Sequence, residues 1–371
     1  MRKLTAVLLS SVLCFGILAG CTQNASAPGS QTSSASSANE TTSSGPESSA
    51  APGSSSQPSA FSGIPETAES IPQSGETIRL AGLKGPTTMG MAKLLADNDT
   101  GLSKNKYSFT MAGAADEIVA GLAKGELDAA AIPANLASVL YNNTEGKISL
   151  AAINTLGVLY IVETGDIIHS LEDLRGKTLY STGQGTTPEF ALNFVLQQNG
   201  IDPATDLNIE YKSEATEVAA LMQAASGPAV ALLPEPFVTT AKAKNEKLRT
   251  ALSLTEEWER TGSGSALVTG VLVVRNDFLA EYEAAFQTFL EEYRASTEYI
   301  NENPEEAALL IEGLGIAPAA VAEKAIPACN ITYLAGAEMK EKVSGYLQAL
   351  FEQNPKSVGG ALPDDAFYYQ S

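Results

Sequence analysis

The sequence predicts an α/β fold made of two similar halves with mainly parallel sheets. Three observations predict it. From residue 77 onward, short β-branched or apolar runs alternate with amphipathic runs of helix length, the pattern of βαβ units. The polar elbow "GPTTMG" at 85–90 returns as "GQGTTPE" at 183–189. The third strand of each half ends in proline, at Pro133 and Pro234.

In the first half, "TIRLAGL" (77–83) reads as a strand, and a helix over 88–98 carries Met91, Leu94 and Leu95 on one face. "YSFTMAG" (107–113) is the second strand, and a helix over 115–124 buries Ile118, Val119 and Leu122. "LDAAAIP" (127–133) is the third, and "NLASVLY" the third helix. The order then restarts with strand 177–183, helix 188–198, strand 207–212, helix 215–225 and strand 229–234, and "EPFVTTAKAKN" follows as a helix. Thr87 and Pro133 lie 46 residues apart, Thr186 and Pro234 48. The paired Thr-Thr and the paired proline lift this match above the self-similarity of any α/β chain.

Two extended apolar runs, 151–164 and 266–277, have the character of segments crossing between halves. Helices are expected over 276–300, 303–313, 318–325 and 336–353. If they return to the first half, that half is discontinuous in sequence.

The N-terminus reads as an export signal over 1–20. Arg2 and Lys3 precede a mostly apolar run from Leu4 to Leu18, too short and wrongly flanked for a stable membrane span. "LAGC" ending at Cys21 resembles the bacterial lipobox, whose cysteine is diacylated, and two or three acyl chains anchor a protein stably. From Thr22 to Ala60 there is no Leu, Ile, Val, Met or aromatic residue, so this stretch cannot offset its ordering entropy. Residues 21–75 therefore read as a lipidated cysteine and a flexible tether. A root-mean-square reach of about 40 Å suits a domain standing off the outer face of a Gram-positive cell membrane.

Composition removes several function classes. The formal net charge of −20, with no basic cluster, argues against nucleic acid as a partner. Cys14 leaves with the signal and Cys21 is lipidated, so Cys329 stands alone as a buried apolar residue, with no intrachain disulfide. His169 is the one histidine, in a loop entering a short helix. One histidine and one thiol give neither a His/Cys metal site nor a nucleophile–histidine pair, so no catalytic residue, metal ligand or cofactor is expected. Gly85 and Gly90 have the outer spacing of a phosphate-binding loop, but Met91-Ala92 stand where Lys and Ser/Thr are needed. "GQGTTP" begins like a dinucleotide fingerprint and fails where Pro188 replaces the third glycine.

Five stretches together resemble the substrate-binding lipoproteins of bacterial ABC importers. They are "GPTTMGMAKLL", "GELDAAAIPANLA", "SLEDLRGKTLYSTGQGTTPEFALNFVLQQNGID", "LPEPF" and "TGVLVVRNDFL", and the third is the most specific. The nearest branch is that of the nitrate/sulfonate/taurine (SsuA-like) and thiamine-precursor binders. The resemblance covers about residues 76–365 and implies the type II periplasmic-binding-protein fold, two α/β lobes joined by two crossover strands and closing on a ligand. Lobe I would comprise 76–162 and 265–371, lobe II 163–264. A permease with its ATPase would be the partner of a monomeric binder. Eukaryotic relatives of the fold are enzymes that use an active-site histidine and a lysine-bound cofactor. His169 sits in an unsuitable loop for that, so a non-enzyme is expected. A surface sensory or adhesion lipoprotein is the remaining class.

Ligands of open parallel sheets sit beyond the strands' carboxyl ends, where both elbows lie. A helix N-terminus there offers unpaired N–H groups and partial positive charge. The candidate ligand residues are Gly85, Pro86, Thr87 and Thr88 on one wall and Gly183, Gln184, Gly185, Thr186 and Thr187 on the other. One threonine of each pair caps its helix, Thr87 in the first elbow and Thr186 or Thr187 in the second, leaving a neighbour for the ligand. Pro133 and Asn135 either complete the first wall or cap a helix. Asn154 and Thr155 lie at the crossover, within reach of a ligand through one side chain. Glu235 caps a helix or accepts from a donor-bearing ligand, and Tyr160, Tyr180 and Phe237 are candidate aromatic walls. With no Arg in either elbow and only Lys84 nearby, a small anion held by N–H groups and a neutral heterocycle fit equally well.

Overall fold

The computed structural model describes residues 77–370. The signal, Cys21 and the tether lie outside the described residues. Among those described, no helix is long and apolar enough to cross a membrane.

The chain first lays down β1 (Thr77–Leu83), α1 (Pro86–Met89), α2 (Ala92–Thr100), β2 (Lys106–Ala112), α3 (Ala115–Lys124), β3 (Ala129–Pro133), α4 (Ala134–Asn143) and β4 (Ile148–Leu156). It then builds β5 (Leu159–Thr164), β6 (Thr178–Ser181), α5 (Thr187–Gln198), β7 (Asn208–Tyr211), α6 (Ala215–Ala224), β8 (Val230–Pro234), α7 (Phe237–Lys242), β9 (Leu248–Ser253) and α8 (Leu254–Arg260). The last stretch holds β10 (Val268–Arg275), α9 (Asn276–Glu302), α10 (Pro304–Gly313), α11 (Ala319–Ala325), β11 (Ile331–Leu334) and α12 (Gly336–Gln353).

These strands form two open sheets. One has the order β11-β4-β10-β3-β1-β2, the other β7-β6-β8-β5-β9. The repeat read from the sequence is physical, since β2-β1-β3 and β7-β6-β8 are the same parallel trio. The sheets are mixed, however, and not mainly parallel. β10 runs antiparallel to β3 and β4, and β5 antiparallel to β8 and β9. Parts of the apolar crossing runs explain this: β5 and β10 each enter a sheet from the opposite end and pair against its parallel trio. The run at 151–164 is two strands, β4 in the first sheet and β5 in the second. The chain returns to the first sheet through β10, and β11 and α12 complete that side.

The expected helix over 88–98 is broken into α1 and α2. Ser296 from α9 causes the break: its hydroxyl donates to the Gly90 carbonyl at 2.7 Å and accepts from the Leu94 N–H at 3.0 Å. A side chain thus replaces the helical bond between those two groups, a known cause of kinks. β9, α8 and β11 escaped the sequence reading because their apolar residues are few and unperiodic.

β3, β4 and β10 are buried along nearly their whole length, as central strands covered on both faces must be. The largest apolar cluster runs through both sheets, from Ile132 and Val271 to Leu179 and Leu232. An aromatic series reinforces it: Phe194 of α5 lies 4.2 Å from Trp258 of α8, and Trp258 lies 5.5 Å from Tyr346 of α12, between ring centroids. Full burial of each such side chain contributes about 1.5–3 kcal/mol, so this seam is a principal bond between the two sheets.

Candidate functional site

A cavity of about 520 Å³ opens between the two sheets where the parallel trios end. Register brings those ends together: Leu83 of β1 is level with Ala112 of β2, and Ser181 of β6 with Tyr211 of β7. The turns that follow become the walls. From the first sheet come Leu83–Thr87, Gly113–Asp116 and Pro133; from the second, Thr182–Gln184, Thr186–Pro188, Tyr211–Thr216, Pro234 and Phe237. Val158 and Leu159 at one crossing and Thr269 at the other close the back.

Of the residues singled out from sequence, Gly85, Pro86, Thr87, Pro133, Gly183, Gln184, Thr186 and Thr187 line this cavity, as does Phe237. Thr88, Asn135, Thr155, Gly185 and Glu235 are not on its lining. Thr88 donates its hydroxyl to Leu83 O at 2.5 Å. Asn135 is fully buried near the head of α4, where it donates to Ser357 O and Gly185 O. Glu235 accepts from both the N–H and the hydroxyl of Thr239, at 3.0 and 3.1 Å, and so caps α7. Burial raises its pKa against the opposing pull of those bonds. Tyr160 donates to Ala328 O, and Lys212 lies over the Tyr180 ring.

Capping differs from the expectation. Gly85, not Thr87, is the N-cap of α1, and the Thr87 hydroxyl has no hydrogen-bond partner. Thr186 does occupy the N-cap of α5, but its hydroxyl donates back to Gly183 O at 2.7 Å instead of capping a helix N–H. Gly183 and Gly185 both take left-handed φ, 72° and 76°, which lets the elbow turn between β6 and α5 without a Cβ penalty.

The floor is formed where α1, β4 and β10 meet. Asn154 donates to Thr87 O at 3.2 Å, and Gly270 leaves the room for both: a Cβ there would lie 2.5 Å from Asn154 Oδ1 and from the Thr87 methyl. The hydroxyl oxygens of Thr87, Thr155 and Thr269 are buried and unpartnered. A buried polar atom without a partner costs about 1–3 kcal/mol, so two on lining residues, with Thr155 behind them, mark a place suited to polar groups.

Sequence reasoning missed the turns at 113–116 and 213–216, which lead into α3 and α6 and form the mouth. They too are a matched pair, "GAAD" and "SEAT", and occupy the same place in the two halves. The mouth is narrow: Glu214 Oε1 lies 3.5 Å from where a Gly113 Cβ would stand. Tyr211 on the wall has a raised pKa, from burial first and the nearby Glu189 carboxylate second.

A second cavity, about 620 Å³, flanks β9 and includes His169, Glu172, Glu256 and Arg260. It lies away from the carboxyl ends of both trios and touches neither elbow. Among the described residues, no group of three or more His, Cys, Asp or Glu is placed to hold a metal ion. Cys329 is buried, its thiol pKa raised by that burial and by Glu235.

A family model described as menaquinone biosynthesis matches residues 90–317, more than half of the chain. The chain belongs to that family. No curated protein matches the sequence. Among solved structures, an ABC transporter from Parabacteroides distasonis is similar at 28% identity and a TM-score of 0.66, over 79% of this chain and 99% of that one. The sulphonate-binding protein SsuA from Escherichia coli is similar at 17% identity and 0.63, over 80% and 93%. The alkanesulfonate-binding SsuA from Xanthomonas axonopodis, bound to MOPS, is similar at 14% and 0.60, over 80% and 96%. The fold of this family member is therefore that of the periplasmic binding proteins, two α/β lobes joined by crossover strands. Its structural neighbours are the SsuA-like proteins that the sequence motifs resemble.

Proposed function

We propose that the chain is the extracytoplasmic substrate-binding lipoprotein of an ABC importer. It is tethered through Cys21 and captures a small anionic or heterocyclic solute, sulfonate-, nitrate- or taurine-like, for delivery to a permease. Lobe I comprises 76–162 and 265–371 and lobe II 163–264, with the two elbows as facing walls of the ligand site. The observation that carries the reading is the cavity between those walls, at the carboxyl ends of two equivalent parallel trios, with Thr87 and Thr269, whose buried hydroxyls are unpartnered, among its lining residues. The ABC-transporter and sulfonate-binder neighbours support it. Ligand favours the closed form only to the extent that it binds that form better. The direct test is thermal unfolding against a panel of sulfonates, nitrate, taurine, pyrimidines and amino acids. A true ligand at a hundred times its Kd adds about 2.7 kcal/mol of stability; a flat response throughout would sink the reading.

The family description favours a second reading, an enzyme of a biosynthetic route working in the same cleft. It predicts turnover of a bound compound. Mass spectrometry of a solute before and after incubation separates the two, because a binder returns its ligand unchanged.

A further inference from the structure

Carboxylates stand at the helix N-termini around the cleft, two on its lining and one just behind it. Glu189, in the first turn of α5, accepts a hydrogen bond from the Gly185 N–H at 2.5 Å. The next amide, of Thr186, is used by Gly183 O, and Pro188 has none. α3 likewise opens with Asp116 and Glu117, and α6 follows Glu214 and carries Glu217 in its first turn. Acids so placed compensate the positive ends of the helices that face the cavity.

The cations at the cleft are weaker than their number suggests. Lys212 is engaged by Glu210 at 3.5 Å and by the face of Tyr180, 5.6 Å from its centroid, which leaves exposed Lys84. Against it stand exposed Asp116 and Glu214 at the mouth and half-buried Glu189 just behind the wall. Between mouth and floor the wall is apolar: Pro86, Pro133, Val158, Leu159, Pro234 and Phe237. Thr87 and Thr269 on the lining carry unpartnered hydroxyls, and Thr87 is only 6% exposed.

Resting on the binding-protein reading, we propose that Glu189 is the specificity-determining residue of this cleft. With Asp116 and Glu214 it makes the site select an organic solute that carries N–H donors and an apolar body but no negative charge. Such a molecule puts its body against the proline and Phe237 wall and its donors on carboxylates and threonine oxygens. A sulfonate or nitrate would face Asp116 and Glu214 at the mouth and the charge of Glu189 behind the wall, and lose affinity to like-charge repulsion.

Three probes sharing a ring decide the matter: benzylamine, benzamide and benzenesulfonate, each titrated by thermal shift and calorimetry into the wild type, Glu189→Gln and Glu189→Ala. The expected result is stabilisation by the amine or amide and at least ~10-fold weaker binding of benzenesulfonate, equal to about 1.4 kcal/mol. In both variants benzenesulfonate should gain at least ~10-fold, in a salt-sensitive manner, as the negative charge behind the wall is removed. Wild-type binding of benzenesulfonate as tight as that of the amine would overturn the charge assignment and leave the binding-protein reading standing. No gain in anion binding in either variant would overturn the role of Glu189. Silence from all three probes, together with a flat solute panel, would remove both.

Discussion

The Thr187 hydroxyl, on the first residue of α5, lies 3.4 Å from Asn135 Oδ1 near the head of α4, and Tyr346 of α12 donates to that same hydroxyl at 3.2 Å. Three elements from the two sides of the cleft therefore share one buried chain of donors. Asn135 also reaches Gly185 O and Ser357 O through its amide nitrogen. Removing this side chain leaves the Thr187 donor without its acceptor. Asn135→Ala is expected to cost about 1–3 kcal/mol, measured by urea unfolding, and to enlarge the ligand-free radius of gyration in X-ray scattering. Unchanged values of both would deny Asn135 a role in joining the two sides of the cleft.

Trp258 lies at the centre of the aromatic seam, fully buried between Phe194 and Tyr346. Its indole N–H donates to Ser265 O at 3.0 Å. Trp258→Ala should destabilise by about 3–5 kcal/mol, and the loss should appear in a single unfolding transition because the seam is common to both sheets. Two separated transitions in the wild type would contradict a shared core.

Glu235 gives a pH signature. Burial raises its folded pKa above the ordinary value of 4.5, so the folded state binds the proton more tightly than the unfolded chain. The resulting stability is complete below the unfolded pKa and is lost as pH rises through the folded one. Glu235→Gln keeps an acceptor for Thr239 and should flatten that part of the stability–pH curve. Parallel curves for the two proteins would show that Glu235 titrates as an ordinary carboxyl.

Ser296 holds the break between α2 and the short helix α1 that carries the lining residue Thr87. In Ser296→Ala the Gly90 carbonyl and Leu94 N–H can pair directly, which would join α1 to α2 and turn Thr87 away. Ligand affinity should fall while the melting temperature moves little, and an unchanged Kd would refute this coupling.

Cys21 tests the anchor. Cys21→Ala should move the protein from the membrane fraction to the medium, and retention on membranes would exclude the lipobox reading.

The β-α repeat was legible because its signals are local. β-branched runs, 3.6-residue periodicity and paired prolines are written within each element, and the parallel trios followed from them. The mixed sense of the sheets was not, because β5 and β10 are mostly apolar and strand direction leaves no trace in such a run. Both elbows do lie between a strand and a helix, as read from the sequence, whereas the capping roles of their threonines differ. Thr87 lost its expected capping role to Gly85, and Ser296, about two hundred residues away, broke the helix; neither effect is local. The turns at 113–116 and 213–216 were overlooked because "GAAD" and "SEAT" read as ordinary helix starts until the strand ends are seen side by side.

The most direct test of the central claim compares the wild type with Ala114→Trp, a substitution at an exposed position of the cleft mouth that fills the cavity without touching the core. Isothermal calorimetry with whichever solute stabilises the wild type should give one site per chain, and the tryptophan variant should fold with the same melting temperature and lose that binding at least ~10-fold, about 1.4 kcal/mol. Equal affinity in the two proteins would place the ligand elsewhere and contradict the assignment of this cleft.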